Sequence, residues 1–359
     1  MADKAALRAE ACRLRAAFEA AGAVPVEADI LQPAETLLDL YGEDIRARAY
    51  VTADPVRGEL MLRPDFTVPV VQMHMAGGAD PARYTHAGEV FRKQEAGSAR
   101  ASEYLQVGYE LFDGADPGRA DAEVFALFAE VLAPLGLRAA TGDIGLLRAA
   151  VMGLSTTDTR KAALLRHLWR PRRFRSLLDR FCGKRPPPAG RAAMLAAIDP
   201  LADAGPGIGL RTMDEVRDRI ERLRADAAEP PIGAGEAELL DELMGLRETA
   251  PNVLARLRDL MVDMPAIAAA VDGFAARLGA MEDRGIEVAA LGFEASFGRT
   301  TMEYYDGFVF GFFAPSRPDL PPVASGGRYD ALTRVLGQGR SIPAVGGVIR
   351  PALTLELGP

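Results

Sequence analysis

Over residues 102–112 polar and apolar side chains alternate, and few patterns restrict a fold as tightly. In an extended chain Tyr104, Gln106, Gly108 and Glu110 share one face, and Leu105, Val107, Tyr109 and Leu111 share the other. A period of two is foreign to a helix, so this stretch is read as a strand with one greasy face. Residues 83–92 read as its neighbour, joined to it by the polar loop 93–101. A Gln and a Glu flanking a glycine make a floor on which a small polar ligand can rest. An antiparallel strand with a solvated face accounts for the same alternation.

Around this pair the pattern is that of an α+β protein. Residues 4–21 read as a helix stopped at Gly22, and residues 49–52 and 59–62 as a hairpin around Asp54-Pro55-Val56-Arg57-Gly58. Thr67 can cap a short helix running to about Met75, and residues 121–132 form a helix ended by Pro134 and Gly136. From 155 to 281 the chain turns Ala/Leu/Arg-rich and helical, broken by Pro186-Pro187-Pro188, Gly205-Pro206-Gly207 and Pro230-Pro231. Strand character returns at 288–293, 301–313 and 322–325, and a last helix is expected over 348–357 with Pro351 in its first turn. The expectation is an antiparallel sheet flanked by helices, formed by residues 1–154 and 282–359, with a helical insertion at 155–281.

Composition removes several function classes. A chain of 359 residues with 49% hydrophobic and 26% charged residues is ordinary for a soluble globular protein. A net charge of −8 argues against non-specific nucleic-acid binding. Two cysteines, Cys12 and Cys182, without a CxxC pair, speak against a zinc site or a disulfide framework, so no metal is expected. Without an apolar signal core or a run of about 18 apolar residues, the expectation is a cytoplasmic chain with no membrane contact. Residues 166–191 are basic, with Arg170, Arg172, Arg173, Arg175, Lys184 and Arg185 around Trp169. They read as a solvated helical face or as a patch for RNA or an acidic partner. His74, His86 and His167 have no metal or triad spacing, so packing or surface roles are expected of them.

Three further segments carry polar chemistry. Arg63-Pro64-Asp65-Phe66-Thr67 places Asp65 and Thr67 at a helix start, where either caps or binds. Glu303-Tyr304-Tyr305-Asp306-Gly307 opens a strand, and Ser325-Gly326-Gly327-Arg328-Tyr329-Asp330 follows one, with a glycine pair that lets backbone approach closely. In this order and with Gly88-Glu89-Val90-Phe91-Arg92 between them, the segments resemble the class II aminoacyl-tRNA synthetase core of the histidyl type, over roughly residues 5–150 and 285–357. The resemblance implies a histidine site: Asp65, Thr67 and Gln106 facing the α-ammonium, Glu110 meeting the imidazole, and Tyr305 and Tyr329 closing the pocket. The residue types suit the ligand, since an ammonium needs acceptors and an imidazole N–H bonds strongly to a carboxylate.

The departures from that family are as informative. The arginine expected three residues before the Asp of Asp-Tyr-Tyr is replaced by Thr300, with Arg299 one step away. Gln94 stands where an acid follows Arg92, and Gly347-Val348-Ile349-Arg350 keeps the arginine of its motif while losing the acid. The motif that supports the synthetase dimer survives mainly as Pro33, and Asp65 is one methylene shorter than the usual Glu. The sequence ends soon after Arg350, and no anticodon-binding domain is expected. This combination is similar to the ATP phosphoribosyltransferase regulatory subunit family, paralogues of histidyl-tRNA synthetase that charge no tRNA. It implies a non-catalytic partner of the short-form catalytic subunit in the first step of histidine biosynthesis. Histidine would be the effector, no cofactor would be used, and a homodimer core would sit within a hetero-oligomer. The alternatives are a truncated histidyl-tRNA synthetase and a paralogue that activates another amino acid.

Overall fold

The computed structural model describes residues 3–41, 45–95, 97–98, 100–202, 204–205, 208–299 and 304–358. Its strands are β1 (Val24–Pro25), β2 (Leu31–Pro33), β3 (Val51–Asp54), β4 (Gly58–Leu62), β5 (Ala82–Phe91), β6 (Glu103–Phe112), β7 (Arg138–Asp143), β8 (Arg247–Thr249), β9 (Gly292–Glu294), β10 (Phe308–Phe313), β11 (Ala324–Arg328) and β12 (Ala344–Ile349). Nine of them form one sheet in the order β1-β5-β6-β12-β11-β10-β7-β9-β8, and β2-β4-β3 form a small second sheet. The large sheet is antiparallel except for the pairs β1–β5 and β7–β9, which run parallel.

Helices cover both faces of the large sheet. They are α1 (Lys4–Ala20), α2 (Ala34–Tyr41), α3 (Ile45–Arg48), α4 (Thr67–Met75), α5 (Pro117–Leu132), α6 (Ile144–Gly153), α7 (Asp158–Leu165), α8 (Pro171–Phe181), α9 (Ala189–Ala196), α10 (Met213–Ala228), α11 (Ala234–Gly245), α12 (Ala250–Asp263), α13 (Ala268–Glu282), α14 (Asp330–Leu336) and α15 (Pro351–Leu357). On the greasy face of β6, Tyr109 packs on Phe18 of α1 with ring centroids 5.5 Å apart, and Phe18 packs on Phe128 of α5 at 5.2 Å. Phe308, Phe310 and Phe312 alternate along β10 onto the same side and meet Phe125 of α5. Each such ring contributes about 1.5–3 kcal/mol by leaving water. The opposite face is not solvated: Gln106 and Glu110 are 1% and 0% exposed. There α4 lies over the sheet, with its His74 ring stacked on Phe112 at 3.8 Å. The solvated-face reading of the alternation therefore fails, because a second helical layer seals the polar side.

Several boundaries differ from the sequence reading, each for a local reason. Helix α5 starts at Pro117, earlier than expected, because Asp116 accepts a bond from the Arg119 N–H at 3.0 Å and proline fits the first turn. Thr67 is not the cap of α4: the Asp65 carboxylate accepts from Val68 N–H at 3.3 Å, and the Thr67 hydroxyl turns to the sheet. Within 288–293, Val288–Ala290 is a 3-10 turn and the strand begins only at Gly292. Val348 and Ile349 belong to β12, and the last helix begins at Pro351. The 155–281 stretch is helical except at β8, which pairs antiparallel with β9 at the sheet edge. Of the strand expected over 301–313, residues 301–303 lie outside the described residues and β10 begins at Phe308. The Gly205-Pro206-Gly207 break is described only at Gly205.

Helix α13 is fastened to the core by charge. Arg277 reaches Asp121 of α5 at 3.2 Å and Asp143 of β7 at 2.6 Å, while Arg328 meets the same Asp121 at 2.8 Å and Asp330 at 3.0 Å. The Arg277 guanidinium also lies 4.5 Å from the centre of the Phe308 ring. Among the described residues no helix is long and apolar enough to cross a membrane, and no cluster of His, Cys, Asp or Glu has the arrangement of a metal site.

Candidate functional site

The site is built around the Glu110 carboxylate. Strand register puts Gly346 of β12 on one side of Glu110 and Tyr84 of β5 on the other. Glycine at 346 is required by space: a Cβ there would overlap the carboxylate and lie 2.8 Å from the Tyr109 carbonyl oxygen. The carboxylate accepts from two hydroxyls, Thr67 Oγ1 at 2.9 Å and Tyr329 Oη at 2.5 Å. Thr67 Oγ1 in turn accepts from Tyr304 Oη at 3.3 Å. The Tyr304 ring is 4.9 Å from that of Tyr305 and 6.1 Å from that of Tyr329, both in edge-on geometry. Burial, and then the Glu110 charge, pushes the phenols of Tyr305 and Tyr329 well above the ordinary range, so both stay protonated.

Thr67 and Tyr329 are thus both bonded to Glu110, and Tyr305 reaches them through the Tyr304 ring. Asp65 is two residues before Thr67, buried, and close enough to influence the Tyr305 hydroxyl. Gln106 lies on the Glu110 face of β6, with neither amide atom bonded to a described residue. A buried amide left in that condition costs about 1–3 kcal/mol, so this is a surface shaped for something polar.

Two residues that the sequence reading did not assign stand in the same place. Tyr304 joins through Thr67, as described. His86, for which a packing or surface role was expected, is fully buried with Nε2 3.6 Å from Glu110 Oε1 and its ring stacked on Phe66 at 4.2 Å. The signal for it was available: in the β5–β6 pair His86 faces Gly108, the glycine beside Glu110 in the alternation.

The positions that would serve nucleotide chemistry look different. Arg92 Nε donates to the Pro64 carbonyl at 2.8 Å, and Arg350 donates to the Pro322 carbonyl at 2.6 Å. Burial, with further repulsion from Arg92 and Arg100, lowers the Arg350 guanidinium from its usual value. Gln94 uses its amide to hold the following loop, donating to the carbonyls of Arg92 at 3.2 Å and Ala101 at 3.4 Å. Ile349 is sealed in the core. Arg299 points away, under the helical stretch: Nε donates to the Leu168 carbonyl at 2.8 Å and the guanidinium lies 5.1 Å from the Phe174 ring. Thr300 lies outside the described residues. In the basic block, Arg175 pairs with Asp179 and Asp241, and Arg185 with Asp179, while Arg172 and Arg173 face solvent.

A family model described as histidyl-tRNA synthetase matches residues 2–202 and 212–352. A protein of Brucella canis named ATP phosphoribosyltransferase regulatory subunit is 31% identical over 354 residues, spanning 93% of this chain and 93% of that one. Its namesake from Brucella melitensis biotype 1 is equally similar, at 31% over 93% of this chain and 92% of the other. The chain belongs to the ATP phosphoribosyltransferase regulatory subunit family. Solved structures place that family on its fold. An ATP phosphoribosyltransferase regulatory subunit/histidyl-tRNA synthetase from Bacillus halodurans superposes with a TM-score of 0.70 at 20% identity, over 99% of this chain and 81% of that one. A histidine–tRNA ligase subunit from Alicyclobacillus acidocaldarius gives 0.58 at 24% identity, over 99% and 95%. The α+β, class II synthetase-like architecture of the ATP phosphoribosyltransferase regulatory subunit family is therefore that of this chain.

Proposed function

We propose that this chain is the non-catalytic regulatory subunit of an ATP phosphoribosyltransferase and that its Glu110 pocket senses histidine. The observation that carries the reading is a buried carboxylate held by two hydroxyls beside an unbonded Gln106 amide, with the adenylating apparatus replaced around it. Adenylyl transfer depends on cations and on acids that hold magnesium against developing charge, and losing one such contact typically slows it about 10²–10³-fold. Here Gln94 and Ile349 offer no acid, and Arg299 is committed to Leu168. Binding is served, and activation is not.

In this reading Asp65, Thr67 and Gln106 take the ammonium end of histidine, and Glu110, Tyr305 and Tyr329 take the ring. The partner, a short-form catalytic subunit, joins ATP to phosphoribosyl pyrophosphate and releases pyrophosphate. Histidine bound to one arrangement of the complex more tightly than to another shifts it by about 1–3 kcal/mol, and the catalytic ligands must alter histidine affinity by the same factor. We place the complex in the cytoplasm, as a hetero-oligomer around a homodimer of this chain without tRNA. Residues 1–154 and 282–359 would form its synthetase-like core, and 155–281 the insertion.

The test is Glu110→Ala in the assembled complex. Removing the carboxylate is expected to weaken feedback inhibition by histidine about 10- to 100-fold, the worth of a charged hydrogen bond, while pull-down of the catalytic subunit persists. Unchanged inhibition would count against the pocket. A second reading, amino-acid activation by the isolated chain, is favoured by the grouping of Arg92, Arg100 and Arg350. It requires histidine-dependent ATP–pyrophosphate exchange without a partner.

A further inference from the structure

We infer that His86 is a ligand-contacting residue of this pocket, reading together with Glu110 a nitrogen group of the bound amino acid. The inference rests on the pocket being the histidine site proposed above.

His86 has the location of a recognition residue and lacks the bonding of a structural one. Its side chain is 0% exposed on the face of the sheet that carries Gln106 and Glu110. The ring lies across Gly108, where any Cβ would collide with it, and stacks at 13° on Phe66. Its place is therefore fixed by shape on two sides. Yet neither Nδ1 nor Nε2 has a hydrogen-bond partner among the described residues. The other buried histidine of this layer, His74, does have one, Tyr84 Oη at 3.2 Å from Nδ1. If stacking were the whole role of residue 86, phenylalanine would fill it without two buried polar atoms, each costing about 1–3 kcal/mol unbonded.

The nearest charged atom is Glu110 Oε1, 3.6 Å from Nε2 and beyond hydrogen-bond range. Two acceptors at that separation can both be reached from one ligand nitrogen at about 2.8–3.0 Å. The ligand chemistry they select is a nitrogen bearing N–H donors, and Nδ1 remains for a second ligand atom. Gln106, also unbonded, adds one donor-bearing nitrogen and one acceptor oxygen on the same face. An amino acid with an apolar side chain would leave these groups buried and unsatisfied, and a site of that kind rejects such analogues strongly.

Calorimetric titration of histidine into the full chain tests this with His86→Phe, His86→Gln and Glu110→Gln. The phenyl ring keeps the stack on Phe66, so His86→Phe should retain the melting temperature and lose about 10- to 100-fold in histidine affinity. His86→Gln returns an acceptor, its amide oxygen, near the position of Nε2 and should recover most of that loss. Wild-type affinity in His86→Phe together with lost affinity in Glu110→Gln would overturn the inference and leave the sensor reading standing. A wild-type chain that binds no histidine would sink both. A measurement free of substitution guards against a misfolded variant: the chain has three histidines, so their ring ¹⁵N signals are separable. The His86 pair should shift on saturation with unlabelled histidine, and a pair that stays still refutes the contact.

Discussion

Gly346→Ala puts the seating of Glu110 under the most direct strain. The added methyl would occupy the space of the Glu110 carboxylate, coming within 2.6 Å of its Cδ, and would press on the Tyr109 carbonyl oxygen at 2.8 Å. That oxygen belongs to β6, which is hydrogen-bonded along its length to β12, so it cannot step aside. The carboxylate must move instead and give up the 2.5 Å bond from Tyr329, a charged hydrogen bond worth about 1.5–3 kcal/mol. Overpacking against backbone adds about 1–3 kcal/mol. The expected loss is about 3–5 kcal/mol in urea unfolding, with histidine affinity falling at least tenfold by calorimetry. A variant within about 1 kcal/mol of wild type and with unaltered histidine binding would refute the claim that this glycine exists to seat Glu110.

Two further outcomes follow from buried charge. Arg277→Met leaves Asp121 and Asp143 facing a thioether in place of a guanidinium, and breaking a buried pair costs about 3–5 kcal/mol, readable as a lower urea midpoint; an unchanged midpoint would show that the network contributes nothing. Burial and the neighbouring Asp330 push the Asp306 carboxyl up to about 6. Its folded value lies above an unfolded value of about 3.9, so its contribution is complete below about pH 4 and is lost as pH rises through about 6. The stability of wild type relative to Asp306→Asn, measured from pH 4 to 7, should therefore fall as pH rises, and a flat profile would contradict the shift.

The alternation of residues 102–112 was legible because a two-residue period survives whatever packs on the strand. What packs on it was not: the polar face reads as solvated until α4 is known to cover it. Strand β7, Arg-Ala-Ala-Thr-Gly-Asp, has almost none of the β-branched or aromatic residues that mark a strand. It is extended because β10 and β9 bracket it, partners more than 100 residues away. The same holds for β12, whose Gly346-Gly347 weakens local preference while making room for Glu110 and Phe310. His86 was hidden because its spacing along the chain says nothing, whereas its neighbour Glu110 lies on the adjacent strand. Arg299 shows the converse: a plausible type one residue from the expected position, yet aimed at Leu168.

One bond described by a single donor and a single acceptor ties the basic segment to the backbone of Tyr305. Trp169, just before α8, donates its indole N–H to the Tyr305 carbonyl at 3.1 Å. An indole has no second donor with which to compensate. A macromolecule that leaned on the arginine-studded surface and swung α8 by a bond length would either snap that tether or tug the tyrosine rim around Glu110. Pressure on the outside of the protein thereby has a mechanical route to the hydroxyl cluster around Glu110.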